Sequence, residues 1–178
     1  TCALPISVSW GFDHPAQAWQ QASGCETGQI WPKPDGKVVW GACKGEVGRY
    51  NVVTGQEKHY WVYPQNRYGH DPDDIKFRFP RQTVVYVSPH DSRVIYQASH
   101  VLHRSLDEGV TWDIISPDLT TNDKSHQQNS GGMASDNLMT WDGSTLYWIA
   151  ESPVKDGILW TGSNDGRLNV TSDAGASW

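Results

Sequence analysis

The chain is poor in the material of helices and membrane spans. Its 178 residues include only 2 Met, and no Ala/Leu/Glu/Lys-rich stretch reaches helical length, which excludes a helical bundle. No apolar run approaches the roughly 20 residues that cross a bilayer, so no membrane insertion is expected. Basic residues are the minority: 14 Lys and Arg stand against 20 Asp and Glu, giving a net charge of −6 and a pI near 5.5. That balance argues against nucleic acid as a partner. Cysteine is scarce too, and neither Cys25 nor Cys43 has the CxxC or Cys/His spacing of a zinc site. No metal and no cofactor are therefore expected. A disulfide is open to an exported chain, but two buried thiols are the plainer expectation.

What is abundant points to β structure. There are 17 Gly, 10 Pro, 10 Trp and 7 Tyr, a composition of short strands, many turns and large flat side chains. Residues 1–7 read as a non-native segment, because Thr1-Cys2-Ala3-Leu4-Pro5-Ile6 looks like a translated adapter end. A native N-terminus with any signal peptide would then be missing. Residues 8–27 have no clear period and read as a connecting segment or the remnant of an upstream unit.

Regular structure is predicted from residue 28 onward. Strands are expected at 28–31, 38–43, 47–51 and 58–63, then at 83–88, 93–99, 101–105 and 111–116, and finally at 145–150, 157–162 and 167–171. Turn residues such as Pro34-Asp35-Gly36, Thr54-Gly55-Gln56 and Asn164-Asp165-Gly166 separate the β-branched and aromatic runs, as hairpins require. These sets are copies of one unit. Trp40, Tyr96 and Trp160 follow equivalent turns, at intervals of 56 and 64 residues. Four short strands per unit, repeated radially, is the plan of a β-propeller. The units span 28–63, 83–116 and 138–178, about two and a half blades within a partial propeller over 28–178. A piece of this kind leaves faces uncovered and is expected to be poorly soluble alone.

One eight-residue frame occurs twice, 66 residues apart: Ser105-Leu106-Asp107-Glu108-Gly109-Val110-Thr111-Trp112 and Thr171-Ser172-Asp173-Ala174-Gly175-Ala176-Ser177-Trp178. The Asp accepts hydrogen bonds from the backbone that follows it, the Gly permits positive φ, and the hydroxyls tie the turn to its strands. The Trp buries about 200 Å², worth ~5 kcal/mol as an upper bound, against about 1 kcal/mol for a turn hydrogen bond. Trp112 and Trp178 should set stability, while Asp107 and Asp173 set geometry. This frame, here called the box, resembles the Asp-box of bacterial neuraminidases, xyloglucanase-type glycosidases and sortilin-type propellers.

Beyond the box the chain resembles bacterial, exported propellers described as sortilin N-terminal-like or as BNR-repeat "glycosyl hydrolases". The matching residues are Arg49-Tyr50-Asn51 with Thr54-Gly55-Gln56, Asp74-Ile75-Lys76-Phe77-Arg78-Phe79, Ser88-Pro89-His90-Asp91, Ser116-Pro117-Asp118-Leu119-Thr120-Thr121-Asn122-Asp123-Lys124 and Ala150-Glu151-Ser152-Pro153. The resemblance implies a secreted or periplasmic binding scaffold for a polypeptide or a carbohydrate, completed by further blades of the same propeller. Only the box positions carry over from it.

Candidate chemistry is read from the residues themselves. Asp71, Asp73, Asp74, Lys76 and Arg78 form the densest charged cluster, either a ligand-gripping loop or a solvated turn. Glu151, at a strand end, could pair with Asp74 or Asp136 as glycosidase carboxylates, about 6.5–9.5 Å apart in an inverting enzyme. A glycoside hydrolase is thus the alternative to the scaffold. Trp61, Tyr63 and Tyr68 are the aromatics best placed for stacking on a sugar, and His90, beside Asp91, is a further ligand candidate. His100 and His103, three apart, are expected on opposite faces of a strand and therefore not to form a metal pair.

Overall fold

The computed structural model describes residues 22–24, 28–66, 70–128 and 144–178. These form three antiparallel sheets whose strands neighbour one another in chain order. The first holds β1 (Ile30–Pro32), β2 (Val38–Cys43), β3 (Glu46–Asn51) and β4 (Glu57–Trp61). The second holds β5 (Val84–Val87), β6 (Ile95–Ala98), β7 (Leu102–Ser105) and β8 (Asp113–Ile114). The third holds β9 (Leu146–Glu151), β10 (Leu159–Ser163) and β11 (Leu168–Thr171). The helical content of the described residues is one 3-10 turn at Lys124–His126. The protein is all-β, and its strands fall where the turn chemistry predicts them.

Burial explains why alternation alone would have missed these strands. The sheets stack face against face, so residues on both faces of the middle one are enclosed. Val38, Trp40, Ala42 and Val47 of the first sheet pack on Val85, Val87 and Ile95 of the second. The opposite face of the second sheet gives Val84, Tyr96, Ala98 and Leu102, which pack on Leu146, Ile149 and Leu159 of the third. Near-continuous apolar runs such as Val84–Val87 are what a strand covered on both sides requires.

The two boxes fold alike. Ser105 and Thr171 end β7 and β11, and each hydroxyl accepts from the box glycine N–H, at 2.7 Å and 3.0 Å. Asp107 accepts from the N–H of Thr111 at 2.8 Å and from its hydroxyl at 2.6 Å. Asp173 repeats both bonds with Ser177. These hydrogen bonds, led by the Thr111 and Ser177 hydroxyls, hold both carboxyls down to about 2. Glu108 and Ala174 share φ 59°, and Gly109 and Gly175 follow at 85° and 96°. The N–H of Glu108 donates to the Arg93 carbonyl and that of Ala174 to the Gly157 carbonyl, in each case on the loop between the first two strands of the same sheet.

Each box also docks on the sheet before it. A Cβ on Gly109 would lie 3.3 Å from the Tyr60 ring of β4, and one on Gly175 would lie 2.5 Å from the carbonyl oxygen of Ile115, just past β8. Trp112 packs in the first inter-sheet cluster. Trp178 packs in the second, its indole N–H donating to the Ile115 carbonyl at 3.0 Å. Outermost strand and box glycine therefore meet at the same place twice.

One expectation is corrected. Cys43 is disulfide-bonded rather than a free thiol, and its partner lies outside the described residues. Counting burial treats cysteine as a small hydrophobe, and spacing alone carries no sign of a long-range pair.

Gly166 and Gly175 separate backbone strain from docking. Both have positive φ, but a Cβ at Gly166 would meet nothing within 4 Å. Gly166→Ala should cost only the left-handed penalty of about 1–2 kcal/mol. Gly175→Ala should cost about 3 kcal/mol or more, because the Ile115 collision adds to it. Urea unfolding of the two variants checks the difference. Equal losses would mean that the box does not dock.

Candidate functional site

The meanders give the stack two edges. One carries both boxes, with the β5–β6 and β9–β10 turns. The other carries the β2–β3, β6–β7 and β10–β11 turns and the two long connections, from β4 to β5 and from β8 to β9. The sequence candidates divide between these edges.

On the box edge, Glu151 ends β9 and is buried. Its Oε1 accepts from the Tyr96 hydroxyl at 3.3 Å and the Gly157 N–H at 3.4 Å, and burial raises its pKa. His90 is exposed, with Nε2 2.7 Å from the Ser152 carbonyl oxygen. Glu108 receives Lys33 and Arg49 of the first sheet, Arg49 at 3.0 Å. These contacts tie neighbouring sheets together.

Asp74 lies on the opposite edge, exposed, within the β4–β5 connection. Glu151 is five residues along β9 from Leu146, whose N–H bonds the Ser99 carbonyl at that opposite edge. At about 3.3 Å per residue the separation is ~16 Å or more, so Asp74 and Glu151 do not form the carboxylate pair considered above. Asp136 and Tyr68 lie outside the described residues.

The opposite edge is organised around Arg78. Its side chain is buried, with Nη2 donating to Asp118 Oδ2 at 2.8 Å and to Thr120 Oγ1 at 3.2 Å, and Nε donating to the Ser144 carbonyl at 3.1 Å. Arg78 is thus a clasp between the two long connections, not a ligand contact. Its backbone N–H donates to His100 Nδ1 at 3.3 Å. Gln65 holds the same segment from the other side, bonding both the N–H and the carbonyl of Phe77. Lys76 stays exposed, its Nζ 4.1 Å from the Tyr63 ring centroid. Asp73 pairs with Lys124.

His100 and His103 depart from expectation. His100 belongs to the β6–β7 turn rather than to a strand, so both rings lie against Phe77, with centroids 5.9 Å and 4.8 Å away. His103 is fully buried, Nε2 at 2.9 Å from Ser99 Oγ. Burial holds His100 down to about 4, helped by Arg78, and His103 down to about 3, helped by His100. Both are neutral packing groups at neutral pH. Among the described residues no three His, Cys, Asp or Glu side chains are grouped to hold a metal ion.

Two hollows open on this edge. A cleft of about 440 Å³ is lined by Thr121, Asp123, His126, Ser144, Asn164 and Asp165. Thr121 donates through N–H and hydroxyl to Asp165 Oδ2, at 2.8 and 2.6 Å, joining the β8–β9 connection to the β10–β11 turn. Burial raises the Asp165 pKa, but hydrogen bonds from Ser163 and Thr121 outweigh it and hold it below the usual range. Asp123 is held low by the Ser125 hydroxyl and N–H. The wall is therefore anionic and rich in acceptors, with no Lys or Arg among its lining residues. A second hollow of about 400 Å³ is lined by Trp61, Pro64, Gln65 and Asn66. Of these lining residues the sequence reading singled out only Trp61. Asp118, Thr120, Thr121 and Asp123 lie in the quoted Ser116–Lys124 motif, which with the Asp71–Arg78 cluster marked this edge.

No protein-family model and no curated protein sequence matches the chain. Among solved structures, it is similar to an auxiliary nutrient binding protein from Bacteroides thetaiotaomicron VPI-5482, at 11% identity and a TM-score of 0.39. The match covers 85% of this chain and 36% of that one, so the chain spans little more than a third of its neighbour's length. No helix among the described residues is long and apolar enough to cross a membrane.

The buried imidazoles make stability depend on pH. Their folded pKa values, about 4 and about 3, lie below the ordinary 6.5, so the unfolded chain binds more protons once the pH drops below 6.5. Stability should be full above that pH and fall as the pH is lowered towards 4. Thermal melts between pH 7.5 and 4 read this. His103→Phe should flatten the slope, and an unchanged slope would show that the ring is not buried neutral.

Proposed function

We propose that the three sheets are consecutive blades of an Asp-box β-propeller of the sortilin-like, BNR-repeat type. On this reading residues 28–63, 83–116 and 138–178 are blades, and the protein is an exported binding scaffold for a protein, peptide or glycan. The observation that carries it is the box: two copies share φ angles, hydrogen bonds and a docking point on the outermost strand of the preceding sheet. Radial repetition is the plan that gives successive sheets the same neighbour relation. The disulfide at Cys43 supports an oxidising compartment, periplasmic or extracellular.

The ligand belongs on the edge opposite the boxes. There the long connections converge, and their side chains form the anionic cleft beside Asp165 and the Trp61 hollow. A connection as long as that from β8 to β9 is uncommon in a compact domain, and binding loops are one of the classes in which such lengths occur. The glycosidase alternative loses support from the separation of Asp74 and Glu151.

Peptide and oligosaccharide arrays, followed by calorimetry, test this. A ligand of the cleft should lose about tenfold in affinity on Asp123→Asn or His126→Ala, and keep its affinity on the box-edge change Lys37→Ala. Release of reducing ends from xyloglucan or β-glucan, abolished by Glu151→Gln or Asp74→Asn, would replace the scaffold with an enzyme.

A further inference from the structure

Register across the sheets makes their residues comparable. Trp40, Tyr96 and Trp160 sit on the second strand of each sheet, opposite Arg49, Arg104 and Val170 on the third. Two positions further along, Ala42, Ala98 and Gly162 oppose Val47, Leu102 and Leu168. Likewise Val84 on β5 corresponds to Trp148 on β9, opposite Ala98 and Gly162. In the first two sheets this face is covered by the sheet that follows. In the third it is open: Trp40 and Tyr96 are 0% and 4% exposed but Trp160 is 38% exposed, and Leu102 is 0% exposed but Leu168 is 78% exposed. Trp148 and Val170 are exposed beside them.

We infer that the face of the third sheet formed by Trp148, Trp160, Leu168 and Val170 is the docking surface for a fourth unit of the same repeat. The inference rests on the repeat reading of the fold proposed above. It adds what the incoming unit must look like. Its first two strands must bring the aliphatic row that Val85, Val87 and Ile95 bring to Trp40, and that Ile149 and Leu159 bring to Tyr96. Its box must also differ from the Glu108 box. Arg49 bonds the Glu108 carboxylate, and Arg104 reaches the Ala174 carbonyl at 3.4 Å, but the third sheet offers Val170. An acid at the fourth box position would meet a valine there. The incoming box carries a neutral residue at that position.

The test begins with the chain itself. Leu168→Lys should leave the melting temperature unchanged and lower the binding of an apolar dye, anilinonaphthalene sulfonate, whereas Leu102→Lys should unfold the protein. Equal destabilisation by both would overturn the repeat reading itself. Two tandem chains then address the docking. One appends a second copy of residues 113–178 after Trp178, and the other a second copy of residues 57–112, whose box carries Glu108. The first should melt in one cooperative transition, and Leu168→Lys in its original third sheet, harmless in the parent, should now lower that melt because the appended unit covers the position. The second should melt lower, and Val170→Arg in the third sheet should raise it. A first tandem in which Leu168→Lys in the original third sheet stays harmless, or a second that does not respond to Val170→Arg, would overturn the inference and leave the repeat reading standing. A Leu168-dependent homodimer that resists the appended unit would overturn it too, naming a second copy as the occupant.

Discussion

A side chain on Gly175 would have to share space with the backbone of the preceding sheet, since its Cβ would stand 2.5 Å from the Ile115 carbonyl oxygen. That close approach is the constraint from which the rest follows. The turn must expose bare backbone, so the residue must be glycine at positive φ. To hold that backbone rigid, Asp173 and Thr171 spend their acceptors on it, and the Trp178 indole closes the gap by donating to the same Ile115 carbonyl. The first box sets Gly109 against the Tyr60 and Trp40 rings instead, and its Trp112 indole donates to the Gly109 carbonyl within the turn. Neither box has an atom near the opposite edge, where the clefts lie. The boxes and the two hollows thus lie at different ends of the same strands.

The opposite edge is built by a second device, less regular and more polar. Arg78 is buried with its charge met by Asp118, its fork filled by Thr120 and the Ser144 carbonyl, and its backbone tied to His100. A buried arginine of this kind tolerates removal badly, because its carboxylate partner is left stranded. Its role is to fasten two long connections to the β6–β7 turn, and Phe77, Phe79 and Val101 form a small apolar cluster beneath them. The cleft beside this clasp is lined by Thr121, Asn164, Asp123 and Asp165, whose oxygens are directional acceptors.

Strand positions and box turns were legible in the sequence because each depends on local chemistry. Asp107 and Gly109 act on residues within four positions of themselves, and short-range rules see that far. The repeat of Trp40, Tyr96 and Trp160 was legible because successive sheets reuse one packing position. What escaped depends on partners distant in sequence. Arg78 and Asp118 are 40 residues apart, and Arg78 in isolation looked like a surface cation beside Asp73 and Asp74. Cys43 looked like a small buried hydrophobe. The spacing of His100 and His103 reads as strand geometry, whereas the turn at Ser99 brings the first ring onto the same phenylalanine as the second. Glu151 reads as a strand-end glycosidase acid, whereas the Tyr96 hydroxyl and Gly157 N–H enclose it.

The central claim is that one geometric relation joins each sheet to the next. Residual dipolar couplings of the isotopically labelled protein measure the relative orientation of the three sheets in solution. The account predicts that the rotation carrying β1–β3 onto β5–β7 equals the rotation carrying β5–β7 onto β9–β11, about a common axis. Two unrelated rotations would contradict it.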